Sequence, residues 1–319
     1  MDNPLAPFLA RGPLLLDGGL ATELETRGFD LGDPLWSARL LLENPAAIQA
    51  VHADYLEAGA DCIISASYQA TIPGLQARGL SAAQARALIV SAVNLAVAAR
   101  AAFWAATPAA DRLRPLVAAS VGPYGAYLAD GSEYTGRYGL SVAALVDFHR
   151  ERLDLLAGSA ADLLACETLP SLAETEALLQ LLRRHHSQRA AWFSFTCPDA
   201  NHISDGTPLS AVVRLLDQAP QVIAAGVNCS APALIPALIA NIRRVTDKPL
   251  VVYPNSGETY DARRRCWLGE STPTEFGALS QTWRAAGAML LGGCCRTGPG
   301  HIRAMRAALH PPALPRESP

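Results

Sequence analysis

The sequence holds one lysine, Lys248, among 26 basic residues, and its 29 acidic residues leave a net charge of −3. The arginines are scattered, so there is no basic field of the kind that grips a nucleic-acid backbone. No uninterrupted apolar run reaches the ~18 residues needed to cross a bilayer. The opening residues, MDNPLAPFLARGPLLLDGG, lack a basic start, an apolar centre and a small-residue cleavage site, which argues against secretion and for a cytoplasmic protein. Cysteines are few: seven, an odd number without regular spacing, which argues against a disulfide scaffold and fits a reducing compartment. There is no internal linker and no low-complexity block beyond local alanine enrichment. The 319 residues, half of them hydrophobic, therefore read as one domain spanning 1–319, with a Pro-rich tail at 310–319 expected to be disordered. Nucleic acid and membrane drop out of the expected partners, while a monomer and a homodimer both stay open.

What the chain does have is alternation. Short apolar runs at 13–18, 61–67, 115–121, 161–167, 190–196, 221–229, 249–255 and 287–295 are separated by Ala/Leu segments of helical period, among them 44–58, 81–106, 141–157, 171–186, 232–244, 274–286 and 299–309. Several of the helical segments open on Asn, Ser or Thr with a proline nearby, as helix starts prefer. Eight βα units of this kind predict an α/β fold, a (β/α)8 TIM-type barrel. The most irregular stretches, 22–43 and 122–140, each follow a strand, where such a barrel builds its active-site loops.

Chemistry in parallel α/β folds gathers beyond the C-terminal ends of strands. The runs close on Asp17-Gly18-Gly19, Ser67-Tyr68-Gln69, Cys166-Glu167-Thr168, Asn228-Cys229, Tyr253-Pro254-Asn255 and Cys294-Cys295. Adjacent cysteines such as Cys294 and Cys295 are a strained redox pair, two ligands of one metal, or incidental. Cys229 falls on the same rim, two strands away, and the three together favour a metal. The other four, Cys62, Cys166, Cys197 and Cys266, have no such convergence and are assigned to packing or the surface. Three thiolates leave one corner of a tetrahedral Zn2+ site open for a substrate. Such an electron-rich site suits transfer of an alkyl group to sulfur better than hydrolysis. The pair Gly292-Gly293 is expected to supply conformational freedom for the bend leaving the last strand.

The segments "DGGLATELETRG", "LACETLPSLAE", "GVNC" and "GGCCRTGPGHIRA" together resemble the homocysteine S-methyltransferase family, over residues 13 to 309. The resemblance implies transfer of a methyl group from a sulfonium donor, S-methylmethionine or S-adenosylmethionine, to homocysteine, giving methionine. It makes Cys229, Cys294 and Cys295 the zinc ligands and places Asp17 and Glu167 at the homocysteine ammonium. Backbone amides around Gly18 and Gly19 are expected to bind the amino-acid carboxylate, and Asn228 to orient the site. Trp36 and Tyr68 occupy places where betaine-using relatives carry aromatics, and either can face a sulfonium by cation–π attraction. Thr168 stands where those relatives carry tyrosine, and their long C-terminal extension is missing, which disfavours betaine. A selenium analogue as acceptor, a vicinal-cysteine redox protein and a non-catalytic zinc or homocysteine sensor are the other readings.

Overall fold

Apolar strands that are buried on both faces must pair with one another and be covered by helices, and the chain satisfies both demands with a ring. In the computed structural model, which describes residues 2–32, 36–106, 112–261, 266–268 and 272–311, ten strands form. They are β1 (Leu14–Leu15), β2 (Cys62–Ile64), β3 (Leu116–Val121), β4 (Leu163–Leu169), β5 (Ala191–Phe195), β6 (Val222–Asn228), β7 (Leu250–Tyr253), β8 (Thr259–Asp261), β9 (Cys266–Leu268) and β10 (Ala288–Leu291). Eight of them pair in parallel in the order β1-β10-β7-β6-β5-β4-β3-β2. A parallel bridge between Leu16 and Cys62 brings the two ends of that order together. The Asp17 N–H donates to the Cys62 carbonyl at 3.1 Å and the Asp61 N–H to the Leu15 carbonyl at 2.7 Å, which completes the (β/α)8 TIM-type barrel.

Strand alternation divides the core in two. Leu14, Leu16, Cys62, Ala118, Ala165, Trp192 and Val251 fill the barrel interior, and Leu5 and Phe8 beside a short N-terminal helix (Ala6–Leu9) pack with them. Their neighbours Leu15, Ile63, Ala119, Cys166 and Phe193 face the helical layer instead. The helices start where the sequence signals them. Asn44, Ser141, Ser171 and Thr272 each accept a bond from the backbone N–H three residues on, opening helices Pro45–Ala58, Val142–Ala157, Leu172–His185 and Pro273–Ala285.

Several expectations need correction. The stretch 22–43 is not irregular throughout: it holds the end of helix Leu20–Thr26 and two short helical turns, Trp36–Arg39 and Leu40–Glu43. The stretch 122–140 contains a helix, Tyr124–Leu128, and a 3-10 turn, Ser132–Tyr134. An antiparallel hairpin, β8–β9, and a helix at Leu209–Asp217 were not anticipated. Helix Ala82–Ala106 is long and apolar enough by length and composition to cross a membrane, which a search for uninterrupted apolar runs overlooked. Here it is a barrel helix: Ile89, Val93 and Ala96 are buried at helical spacing and Arg100 pairs with Asp162. His310 bonds the Pro13 carbonyl at 3.0 Å, whereas 312–319, most of the anticipated disordered tail, lie outside the described residues.

Candidate active site

The C-terminal ends of the strands surround a cavity of about 620 Å³. Its sulfur corner is built by the exits of β6, β7 and β10. Tyr253 at the end of β7 offers its carbonyl to the Cys229 N–H at 3.2 Å, and Pro254 offers its own to the Cys294 N–H at 2.8 Å. One short segment thus stitches both cysteine-bearing exits into place. After Cys294 the chain turns sharply: the Thr297 N–H donates to the Cys294 carbonyl at 3.2 Å, with Arg296 at φ +66° in the left-handed region. Cys294 and Cys295 are the first two residues of this turn, so both sulfurs reach the same corner. Gly292 and Gly293 have no positive φ, so the conformational freedom expected of them is not what is used. Gly293 is needed for close approach, because a Cβ there would lie 2.2 Å from the Thr297 hydroxyl.

The Cys294 thiol lies 3.1 Å from the Cys229 sulfur, Cys295 lies 3.5 Å from it, and all three sulfurs fall within 4.8 Å of one another. Four-coordinate zinc with Zn–S near 2.3 Å sets sulfurs about 3.8 Å apart, so the donor set and its spacing fit a metal ion of this type. The hydrogen bond with the Cys229 thiol holds the Cys295 thiol well below its ordinary range. Hydrogen bonding to the other two cysteines and burial push Cys294 up. Cys62, Cys166 and Cys197 are buried elsewhere, and the side chain of Cys266 lies outside the described residues.

The carboxylate floor comes from strand alternation. Glu167, one residue after the outward Cys166, lines the cavity; Ser120 donates to its Oε1 and the Tyr253 hydroxyl to its Oε2, the latter at 3.0 Å. Burial pushes its pKa up to about 7 against those two bonds. Asp17 accepts from the Ile64 N–H at 2.8 Å, and burial pushes its carboxyl well above the usual range. Two desolvated acids facing one cavity are in want of a cation.

Asn228 ties this floor to the sulfur corner. The Thr168 N–H donates to its Oδ1 at 2.9 Å and its Nδ2 donates to the Thr168 hydroxyl at 2.7 Å, holding Thr168 at φ +60° and, next to Asn228, Cys229 at φ +50°. Gly18 and Gly19 line the cavity, but the Gly19 N–H is already bonded to the Thr297 carbonyl at 2.9 Å and is not directed at a ligand. Glycine there serves contact, since a Cβ on Gly19 would lie 2.6 Å from the Cys294 carbonyl. Tyr68 lines the cavity, whereas the side chain of Trp36 lies outside the described residues.

Three participants, Ser120, Glu133 and Tyr134, were not singled out from the sequence, nor was the role of a fourth, Tyr253. Ser120 and Tyr253 orient Glu167, and Tyr253 had already been noted as a strand-end residue. Glu133 and Tyr134 come from the loop 122–140, a lid segment that lines the cavity through these residues and sets the Tyr134 hydroxyl 3.6 Å from the Cys229 sulfur. A buried network holds that lid: the Tyr138 hydroxyl donates to Glu174 Oε2 at 3.2 Å, His149 bonds Glu174 Oε1 at 2.8 Å, and Arg152 donates to the Gly122 carbonyl.

Fold and site define a barrel enzyme whose rim combines three clustered cysteines with buried carboxylates. The sequence profile of the family described as Homocysteine S-methyltransferase matches residues 14–309. Homocysteine S-methyltransferase of Escherichia coli is 55% identical over 96% of this chain and 98% of its own, and the Bacillus subtilis enzyme YbgG is 48% identical over 96% and 97%. The crystal structure of the metallated form of the E. coli homocysteine methyltransferase MmuM superposes with a TM-score of 0.86 at 52% identity, covering 96% of this chain and 99% of that one. The chain belongs to the homocysteine S-methyltransferase family and is a methyltransferase acting on homocysteine.

Proposed function

We propose that the protein transfers a methyl group from a sulfonium donor, S-methylmethionine or S-adenosylmethionine, to the sulfur of homocysteine, and that Cys229, Cys294 and Cys295 hold a zinc ion for this purpose. The observation that carries the reading is three cysteine sulfurs within 4.8 Å of one another in one corner of a cavity whose floor is two buried carboxylates. Cys229, Cys294 and Cys295 would hold the ion, which would supply Lewis acidity favouring the deprotonated form of a thiol at neutral pH, so that no general base would be required.

The residues of the chain do the rest by placement. Asp17 and Glu167 accept the homocysteine ammonium, a charge-assisted contact that fixes the amino-acid end and aims the side-chain sulfur at the cysteine corner. Ser120 and Tyr253 keep Glu167 turned towards the cavity, and Asn228 keeps Cys229 and Thr168 in their left-handed conformations. The lid carrying Glu133 and Tyr134 limits water, which strengthens electrostatic contacts beneath it. The homocysteine sulfur then forms a bond to the donor methyl carbon while the bond from that carbon to the donor sulfur breaks. Its electron pair leaves with a neutral thioether. Alignment is the main contribution of the enzyme, since the two reactants need only be held in line.

The test is methionine formation from homocysteine with each sulfonium donor, with and without chelator. Methionine production that chelation abolishes and zinc restores is expected. Undiminished turnover after complete removal of metal would defeat the zinc assignment, and turnover with neither donor would defeat the donor assignment.

A further inference from the structure

We propose that Glu133 binds the α-ammonium group of the methyl donor and so selects sulfonium donors that are amino acids. The inference rests on the sulfonium reading above and deepens it.

Glu133 sits in the 3-10 turn Ser132–Tyr134 of the lid, next to the residue whose hydroxyl reaches the Cys229 sulfur. It lines the cavity from the lid side, whereas Asp17 and Glu167 line it from the barrel strands. Its Oε2 is buried and has no hydrogen-bond partner among the described residues. Burial pushes this carboxyl above its ordinary range, against a bond from its own backbone N–H. The turn that presents it is built: Asp130 accepts from the Ser132 N–H at 3.0 Å and Thr196 donates to the Glu133 carbonyl at 3.4 Å. Gly125 packs so closely beneath it that a Cβ there would lie 2.3 Å from the Glu133 nitrogen.

The change of charge during transfer then identifies the group Glu133 faces. The acceptor brings one ammonium, matched by the floor carboxylates. An amino-acid sulfonium donor brings two further positive centres, its ammonium and its sulfonium. The sulfonium loses its charge as the methyl leaves, so a carboxylate held against it would stabilise the ground state more than the transition state and slow the reaction. The ammonium keeps its charge throughout, and a carboxylate there adds affinity without that penalty. Among the described residues that line the cavity the one cationic side chain is Arg296, which already pairs with Glu258 at 2.6 Å.

Steady-state kinetics of Glu133→Gln test this with two donors: S-methylmethionine, and dimethylsulfoniobutyrate, which has the same sulfonium and carboxylate but no amino group. The expected result is a rise in KM for S-methylmethionine of about 10- to 100-fold, the range for one lost charged hydrogen bond, with kcat and the homocysteine KM little changed. The KM for dimethylsulfoniobutyrate should not move, and Glu133→Asp should restore part of the loss. An unchanged KM for S-methylmethionine, or equal losses with both donors, overturns the assignment. Should the variant fail to fold, the wild-type enzyme decides: a KM for dimethylsulfoniobutyrate no higher than that for S-methylmethionine overturns it too. Failure of the wild-type enzyme to use S-methylmethionine at all would instead count against the donor reading.

Discussion

Asn228 and Thr168 hold each other through two hydrogen bonds, 2.9 and 2.7 Å, across the ends of β6 and β4. Each precedes or follows a residue of the site, Cys229 on one side and Glu167 on the other, and both Thr168 and Cys229 have positive φ. Conformations of that kind cost about 1–3 kcal/mol each and persist only where the surroundings enforce them. Replacing Asn228 by Ala leaves the buried Thr168 N–H unpaired, at a cost of about 1–3 kcal/mol. The expected outcome is a drop in kcat/KM of about 10- to 100-fold with metal content reduced in parallel. Kinetics and elemental analysis of one preparation check both, and a variant of wild-type activity would show that the clamp is dispensable.

Glu167 must be ionised to receive an ammonium, and burial has moved its pKa up from 4.5 to about 7. Because kcat/KM reports the free enzyme, its value for homocysteine should rise with pH through about 7 and fall up to tenfold per unit below it. Glu167→Gln should lose most of the activity and that limb of the profile as well. A flat profile between about pH 6 and 8 in the wild-type enzyme would contradict the assignment.

His52 predicts a stability effect away from the site. It is fully buried on helix Pro45–Ala58, neither ring nitrogen has a partner among the described residues, and burial lowers its pKa from 6.5 to about 4. Above pH 6.5 both folded and unfolded forms are neutral and the residue has no pH effect. As pH falls from there towards 4, the unfolded chain takes up a proton that the folded one refuses, and up to about 3 kcal/mol of stability is lost. Denaturant titrations across that window should show a shallower decline for His52→Leu than for the wild-type protein, and equal slopes would refute the point.

Gly293→Ala probes the turn. The added methyl would meet the Thr297 hydroxyl and Cβ at 2.2 and 2.6 Å, so the turn that presents Cys294 and Cys295 must shift. Overpacking of this kind costs about 1–3 kcal/mol. A lowered melting temperature together with weakened metal retention is expected. Loss of neither would mean that the turn is more compliant than its contacts indicate.

The ring of strands was legible because a strand buried on both faces leaves a continuous apolar run, and because Asn44, Ser141 and Ser171 mark helix starts by their own chemistry; the helix expected from 274 is capped by Thr272 instead. The hairpin β8–β9 was not: "TYDARRRCWL" carries neither a tight-turn signature nor an apolar run. Positions at strand ends were readable for Asp17, Glu167, Cys229, Cys294 and Cys295, since the fold sends such residues to one rim. Partnerships were less so. Nothing local says that Tyr253 orients Glu167 86 positions away, or that the Gly19 N–H is consumed by Thr297, because both depend on how the ring closes. Glu133 and Tyr134 escaped for a related reason: their importance comes from a lid anchored by Glu174, His149 and Arg152, which belong to two other elements.

Three sulfurs from two separated segments are proposed to act as one metal site that methyl transfer needs. Its most direct measurement is the metal content of purified, reduced protein by elemental analysis, taken beside methyl-transfer activity, for the wild-type enzyme and for Cys229→Ser, Cys294→Ser and Cys295→Ser. One zinc per chain is expected in the wild-type protein, and loss of metal and of activity together in each variant. A variant that keeps full methyl transfer without bound metal, or a wild-type enzyme that is active and free of metal, would contradict it.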